Sequence, residues 1–202
     1  MRARHSTKVR TKNPLPLHAT KKAIRALGVA ESFRPSAKKS TLAGVVVRTD
    51  LIVDGFVFGE ATVGGDDATR SVLNMFRKLR RADVNLLMLS GCIISRYNII
   101  DLDELARLSG LPVVCLTYNE SKGIEGAIRR HFKHPEERLE SYRKLGRRTS
   151  ILLHTGYKAF VRNARISDTD AKRVLDAFTL QGGVPEPVRL AKLVARSGST
   201  LR

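Results

Sequence analysis

One apolar run constrains the fold of this chain more than any other feature. The run VNLLMLSGCIISRYNIID covers residues 84–101, and its first part is almost continuously apolar up to Ser90-Gly91. A run of this kind, bounded by glycine, is typical of a central strand that other elements cover on both faces. Such strands place the loops that follow them at the ligand-binding edge of an α/β sheet. We therefore expect any chemistry of the protein to lie near Ser90.

The order of the predicted elements indicates an α/β domain with a mixed sheet. A meander of strands, with a turn at Thr49-Asp50, is followed by alternating helices and strands. This order fits a ribonuclease-H-like sheet flanked by helices better than a doubly wound sheet. No Gly-x-Gly-x-x-Gly motif, P-loop or internal repeat is present. The predicted strands span residues 24–29, 41–48, 51–57, 60–63, 84–89, 113–117, 151–154 and 160–161, and the predicted helices span 67–80, 101–108, 124–132, 136–145, 168–180 and 187–195.

The charge of the chain indicates a polyanionic partner. Its 37 lysines and arginines exceed its 19 aspartates and glutamates, which gives a net charge of +18 at pH 7. Such a field attracts phosphates, so nucleic acid is the leading predicted partner. No acidic residue precedes Glu31. We predict a basic arm over residues 1–22, unstructured until bound, that is either phosphate-binding or a solvated tail, and a single domain over residues 23–202.

A second basic region, which spans residues 143–173, supplies candidate phosphate contacts. Further candidates lie near the C-terminus, where a rigid turn leads into the last predicted helix. Arg189, in the first turn of that helix, could clamp a phosphate or could equally pair with Glu186. The predicted nucleic-acid contacts are Arg147, Arg148, Arg162, Arg189 and Lys192.

Cysteine use and hydropathy indicate the compartment. Cys92 and Cys115 lie in apolar runs without the spacing of metal ligands, so we predict that both are reduced core residues. No apolar stretch reaches the roughly 18–20 residues needed to span a bilayer, and the N-terminus lacks the apolar core of a signal peptide. We therefore expect a cytoplasmic protein without membrane contact, and the sequence leaves its oligomeric state open.

Three short segments carry carboxylates that could serve catalysis. Asp66 and Asp67 follow two glycines at the predicted start of a helix, where either could instead cap that helix. Glu31 follows the first strand, and Asp101 begins another helix. Acidic groups from the ends of adjacent strands hold the Mg²⁺ ions of two-metal phosphodiesterases. The alternatives are an exposed loop position for Glu31 and a first-turn charge role for Asp101.

Several motifs occur in a fixed order between about residue 24 and residue 195. They are GGDDAT at 64–69, LSG at 89–91, YNIID at 97–101, LPVVCLT at 111–117 and GGVPEPVRLAKLVA at 182–195. Together they resemble the archaeal endonuclease dU family, which is related to endonuclease V. The resemblance implies a ribonuclease-H-like, endonuclease-V-like fold and an Mg²⁺-dependent nuclease that nicks DNA near deaminated bases, as in DNA repair.

Four positions depart from the pattern of typical members of that family. Ala30, Gly64 and Ser90 stand where the pattern has aspartates, and Lys192 stands where it has a histidine. None of these four side chains can replace a carboxylate or an imidazole as a ligand of a divalent metal. Catalysis of the implied kind therefore needs a rearranged set of residues.

The remaining carboxylates define two hypotheses. The first is an Mg²⁺-dependent endonuclease in which Glu31, Asp66 and Asp67 are catalytic and Glu31, Asp67 and Asp101 bind the metal. The second is a catalytically inactive nucleic-acid-binding module of the same fold. DNA is the expected partner in preference to RNA. A scaffold for protein partners is a third alternative that no residue excludes.

Overall fold

The computed structural model describes residues 24–200, so the predicted basic arm over residues 1–22 lies outside the described residues. The strands are β1 Arg25–Ser32, β2 Lys39–Arg48, β3 Val53–Thr62, β4 Leu86–Ser90, β5 Ile93–Ile94, β6 Asn98–Ile99, β7 Val113–Thr117, β8 Thr149–Leu152 and β9 Lys158–Ala164. The helices are α1 Ala68–Leu79, α2 Leu102–Ser109, α3 Glu125–His131, α4 Glu136–Lys144, α5 Asp168–Phe178 and α6 Glu186–Thr200.

The main sheet is mixed, as the order of the elements predicts. Its strands lie in the order β3-β2-β1-β4-β7-β9-β8. The three central strands β1, β4 and β7 are parallel, and the strands on both sides of them pair antiparallel. Because parallel strands all end at the same edge, residues at the carboxyl ends of β1, β4 and β7 lie next to one another.

The apolar run at residues 84–89 forms the centre of the sheet. Its side chains alternate between two cores, with Leu87 and Leu89 packed toward α1 and α2, and Leu86 and Met88 packed toward α5 and α6. All four side chains are buried. A strand covered on both faces needs apolar residues at every position, which explains why this run shows no polar alternation.

The helix α6 continues further than the sequence predicts. Ser197, Gly198, Ser199 and Thr200 are poor helix formers, yet the helix runs to Thr200. Packing accounts for the extension, because Gly198 lies against side chains of β2 and β3, and the Ser199 hydroxyl lies 2.9 Å from the hydroxyl of a serine in β1. Tertiary contacts therefore outweigh local propensity at this end.

Two further predictions of local structure need correction. The segment at residues 60–63 belongs to the long strand β3, since pairing with β2 continues as far as Thr62 opposite Lys39. The predicted strand at residues 160–161 is the centre of β9, which spans seven residues because it pairs with both β7 and β8. In addition, β5 and β6 form a small separate hairpin that the sequence does not predict.

Helix α6 lies unusually close to β1. A methyl group placed on Gly28 would lie only 2.2 Å from the backbone carbonyl carbon and oxygen of Pro187 in α6. Real side chains do not approach backbone atoms so closely, so only glycine fits at this crossing. The contact sets the position of α6, which carries Lys192, relative to the central strands.

Within residues 24–200, no helix has the length and the apolar character needed to cross a membrane.

Candidate nucleic-acid interface

A cleft of about 1090 Å³ opens at the carboxyl ends of the central parallel strands. Glu31 of β1, Ser90 of β4 and Thr117 of β7 line it. The hairpin of β5 and β6, the loop after β7 and the loop before β8 form its walls. The cleft thus lies at the edge of the sheet where α/β proteins bind their ligands.

The walls of the cleft are strongly cationic. Among the described residues, the cleft is lined by six lysine or arginine side chains and by only two acidic ones, Glu31 and Glu120. A concave surface with such an excess of one sign concentrates counter-ions of the opposite sign. The arrangement suits a polyanion. The six cationic residues are Arg96, Lys122, Arg147, Arg148, Arg162 and Lys192.

The predicted nucleic-acid contacts are partly found in this cleft. Arg147, Arg148, Arg162 and Lys192 line it, whereas Arg189 does not and instead forms an ion pair of 2.6 Å with Glu186. The second of the two alternatives for Arg189 is therefore the one seen, because Glu186 lies one helical turn before it. The sequence reasoning missed Arg96 and Lys122, which lie outside the long basic regions.

The cationic residues differ in how their donors are used. The guanidinium of Arg148 donates to Thr117 Oγ1 at 3.0 Å and to the Asn119 carbonyl at 2.8 Å. Arg162 donates to the Gly146 carbonyl at 3.0 Å. These two side chains therefore support the walls of the cleft. Arg96, Lys122 and Arg147 are exposed, and within residues 24–200 none of the three forms an ion pair, so their charges face solvent.

Lys192 lies on the wall formed by α6 and is half-buried. Its ammonium nitrogen is 4.6 Å from the centre of the Tyr118 ring, an arrangement that stabilises a cation. Burial lowers the pKa of Lys192, and the nearby charge of Arg196 lowers it further. An anion bound in the cleft would offset both effects, so Lys192 is suited to hold a phosphate.

The carboxylate of Glu31 accepts all of its described hydrogen bonds from one residue. It accepts hydrogen bonds from the Ser95 backbone N–H at 2.8 and 2.9 Å and from the Ser95 hydroxyl at 2.6 Å. The Ser95 hydroxyl also lies 2.6 Å from the hydroxyl of Ser40, and both serines are buried. Glu31 is thus in the cleft, but its oxygens bind the β5–β6 hairpin.

Asp67 lies outside the cleft and is held by other residues. It occupies the N-cap position of α1, but its side chain accepts from the backbone N–H and hydroxyl of Thr62 and from the Asn98 amide. The first N–H of α1, that of Ala68, donates to Asn98 Oδ1 instead. Burial opposes ionisation of Asp67, but the hydrogen bonds from Thr62 and Asn98 and the charge of Lys39 outweigh it and lower the pKa of Asp67 to about 2.

The stability of the protein should therefore depend on Asp67 at acid pH. Because the folded-state pKa of about 2 lies below the ordinary value of 3.8, the carboxylate stabilises the fold above pH 4, and this contribution is lost as the pH falls toward 2. A quarter of the Asp67 side chain is exposed, and solvent weakens its interactions. We therefore expect Asp67→Asn to lower the free energy of unfolding by about 1–2 kcal/mol at pH 7 and by much less at pH 2. Urea unfolding of both proteins across this range measures the difference. Asp66→Asn, a change at an exposed neighbour, is the control, and a difference independent of pH would contradict the prediction.

Asp66 and Asp101 also lie apart from the cleft. Asp66 is exposed and lies in the field of the Arg138 guanidinium. Asp101 caps α2 by accepting from the Glu104 N–H at 3.0 Å and forms an ion pair of 2.5 Å with Lys144. Burial opposes ionisation of Asp101, yet these two contacts lower its pKa. The side chain is used at a helix terminus, in agreement with a first-turn charge role.

The residues of the cleft do not fit an Mg²⁺ ion. Mg²⁺ takes six oxygen ligands, of which several are usually waters and one or two are usually carboxylates without competing cations around them. The cleft offers two carboxylates, Glu31, which accepts hydrogen bonds from Ser95, and Glu120 on the loop after β7, together with the hydroxyl of Ser90 and six cations. Within the part of the chain that the structure describes, no group of three or more His, Cys, Asp or Glu side chains could hold a metal ion. The predicted set Glu31, Asp66, Asp67 and Asp101 is not brought together.

Cys92 and Cys115 are both free and buried. Cys92 lies at the wall of the cleft, where the Arg162 guanidinium approaches its sulfur to 3.6 Å.

Tyr97 is half-buried, and its ring makes edge-to-face contacts with His131 and Phe132 at centroid distances of 5.2 and 5.9 Å. Tyr97 also lines the cleft, and its ring packs against other side chains of the protein.

Comparison with known proteins identifies relatives along almost the whole chain. The model of the Endonuclease dU family matches residues 22–199. A UPF0215 protein from the archaeon Pyrobaculum calidifontis is 40% identical over 170 residues, which cover 84% of this chain and 93% of that protein.

Solved structures show the same architecture. A protein of unknown function from Archaeoglobus fulgidus has a TM-score of 0.75 and 25% identity, covering 86% of this chain and 97% of that one. Endonuclease V from Ciona intestinalis, crystallised with a DNA 24mer that contains an inosine followed by a ribo-adenosine, has a TM-score of 0.60 and 13% identity over 90% of this chain and 88% of that one. The likeness confirms the expected ribonuclease-H-like, endonuclease-V-like fold.

Proposed function

This chain belongs to the Endonuclease dU family, and we propose that it binds nucleic acid, DNA in preference to RNA, in the cationic cleft without Mg²⁺-dependent catalysis at Glu31. The observation that carries the proposal is the composition of the cleft, in which six cations face two carboxylates, one of which, Glu31, is hydrogen-bonded to Ser95. Lysine and arginine side chains that neutralise phosphates provide most of the affinity of sequence-independent nucleic-acid binding. A structural neighbour that was crystallised with DNA, in which a ribo-adenosine follows the inosine, supports nucleic acid as the partner.

The mechanism of binding follows from the two kinds of cation in the cleft. Arg148 and Arg162 are fixed by carbonyl and hydroxyl acceptors of the wall, so they maintain its shape and positive potential. The exposed groups, Arg96, Lys122 and Arg147, are free to contact phosphate oxygens and release the counter-ions condensed on DNA. Their contacts depend on the phosphate backbone, so they position the nucleic acid and do not select a sequence.

Family membership favours a second function, which is Mg²⁺-dependent nicking of DNA near deaminated bases, in DNA repair. It would require a different arrangement of the carboxylates from the one described. Asp67 would have to leave Thr62 and Asn98, and Glu31 would have to leave Ser95, before the two could share a metal ion. Each departure would leave buried donors without an acceptor, which is unfavourable.

One set of measurements distinguishes the two functions. The full chain is titrated with fluorescent 24mer duplexes that contain a uridine, an inosine or neither, and with an RNA of the same length, in EDTA and at several salt concentrations. We expect log K to fall steeply and linearly with log salt, by about 0.9 for each phosphate contact on duplex DNA. A flat salt dependence would contradict the binding proposal.

Cleavage is measured in parallel on the same DNA with Mg²⁺, by denaturing electrophoresis. We expect no nicking by the wild-type protein or by Glu31→Ala above the level seen without protein. Nicking that requires Mg²⁺ and is abolished by Glu31→Ala would establish the endonuclease instead. Nicking that persists unchanged in Glu31→Ala would place the activity at other residues and would rule out Glu31 as its metal ligand.

A further inference from the structure

The turn between β5 and β6 has an unfavourable backbone conformation. Ser95, Arg96 and Tyr97 have φ angles of 46°, 56° and 63°, so three consecutive residues with side chains adopt the left-handed conformation. This conformation is unfavourable for any residue other than glycine because Cβ approaches the following carbonyl oxygen. Three such residues in sequence persist only where surrounding contacts stabilise them.

Contacts at both ends of the turn provide that stabilisation. At its start, Glu31 accepts the three hydrogen bonds from Ser95, and the Ser95 carbonyl accepts from the Gly64 N–H at 2.6 Å. At its end, the Arg138 guanidinium donates to the carbonyl oxygens of Tyr97 and Gly65. The turn is therefore held by side chains from β1 and α4, elements that are distant from it in the sequence.

The residue at the centre of the turn is presented to the cleft. The neighbours of Arg96 are both held, Ser95 by Glu31 and Tyr97 by ring contacts with His131 and Phe132. Arg96 itself is exposed, lines the cleft and forms no ion pair with any residue between 24 and 200. A long side chain on a rigid turn binds a ligand with a smaller loss of conformational freedom than one on a mobile loop.

We infer that Glu31 is a positioning residue, which fixes the left-handed turn so that Arg96 meets a phosphate of the bound nucleic acid, and that it is not a metal ligand. The inference rests on the proposed nucleic-acid binding. Glu31 is the one acidic side chain at the carboxyl end of β1, a place where a carboxylate would serve a metal if its oxygens were free. Here all of its described hydrogen bonds come from Ser95, and six of the seven other charged side chains that line the cleft are cations.

The test is a double-mutant cycle on DNA affinity, measured by anisotropy with the full chain and a 24mer duplex in 0.1 M salt and EDTA. Loss of one phosphate contact corresponds to about an eight-fold weaker affinity at this salt concentration. We expect Arg96→Ala to weaken binding about eight-fold in the wild-type protein and less than about two-fold in the Glu31→Ala protein. Such non-additivity is the sign that the two residues act through one element.

Arg147→Ala is the matched control, because Arg147 is also exposed and lines the same cleft but lies on a loop that Glu31 does not contact. It should weaken binding about equally in both backgrounds. If Glu31 only stabilised the fold, Glu31→Ala would change the affinity effects of Arg96→Ala and of Arg147→Ala by the same factor. Ser95→Ala provides a second variant if Glu31→Ala does not fold. It removes the 2.6 Å hydrogen bond but keeps those from the backbone N–H, so it should reduce the effect of Arg96→Ala in the same direction and by a smaller factor.

The possible outcomes separate this inference from the proposed function. Equal effects of Arg96→Ala in all backgrounds would overturn the positioning role while leaving the binding proposal intact. No effect of either arginine on affinity, together with a flat salt dependence, would refute the binding proposal itself. Calorimetric binding of Mg²⁺ that Glu31→Ala abolishes and Ser95→Ala retains would identify Glu31 as a metal ligand and would also overturn the inference.

Discussion

Replacing Arg96, Lys122 and Arg147 together by alanine is expected to weaken DNA binding at 0.1 M salt by about two to three orders of magnitude. All three side chains are exposed, line the cleft and form no ion pair with residues 24–200, so their removal costs little stability. Each lost phosphate contact removes about 0.9 from the slope of log K against log salt, so the slope should become less steep by about 2.7. Anisotropy titrations of a 24mer duplex at four or more salt concentrations measure both quantities.

A matched triple variant controls for the loss of net charge. Arg70, Arg77 and Lys78 are also exposed but lie on α1, outside the cleft. Their replacement by alanine changes the net charge by the same amount. If binding uses the cleft, this variant should lower the affinity much less than the cleft variant and leave the slope nearly unchanged. Equal losses in the two variants would mean that the overall charge of the protein, and not the cleft, attracts DNA.

The fold could be predicted from the sequence because its strongest signals are local. Residues 86–89 are all apolar since both faces of β4 are buried, and β7 was located to the residue for the same reason. Errors arose where pairing or packing extends an element beyond its local signal. The end of α6 is one such place, because it is held by contacts with residues of β1, β2 and β3 that lie more than a hundred positions earlier.

The site was less predictable because it depends on partners that are distant in the sequence. The positions of Glu31, Asp67 and Asp101 were identified as candidates, but nothing local to Glu31 indicates that Ser95, 64 residues later, donates to it. Arg96 was missed since it lies outside the basic regions, and a left-handed turn without glycine has no sequence signature. Asn98 caps α1 from another segment of the chain. A cap of this kind also cannot be predicted from the residues around the helix N-terminus.

Replacing Gly28 by alanine is expected to lower the free energy of unfolding by about 3 kcal/mol, which corresponds to a decrease in Tm of about 6–12 °C. The added methyl group would lie 2.2 Å from the backbone carbon and oxygen of Pro187. A flexible side chain could relieve such an overlap by changing its rotamer, but backbone atoms cannot. Either β1 or α6 must therefore move. Movement of α6 would separate Val188 and Ala191 from the core that they share with β1. Urea unfolding and thermal denaturation measure the loss.

The same substitution at a second glycine separates steric overlap from the general effect of adding a methyl group. Gly126 lies in α3, where the nearest atom to an added methyl group is the end of the Arg130 side chain at 3.6 Å, an ordinary contact. Because alanine favours helix more than glycine does, Gly126→Ala should raise stability by up to about 1 kcal/mol. Opposite signs for the two variants support the close crossing of β1 and α6. Because α6 places Lys192 in the cleft, Gly28→Ala should also weaken DNA binding under conditions in which the variant is folded, and Gly126→Ala should not. A destabilised Gly28→Ala protein with unchanged DNA affinity would mean that β1 moves and α6 does not.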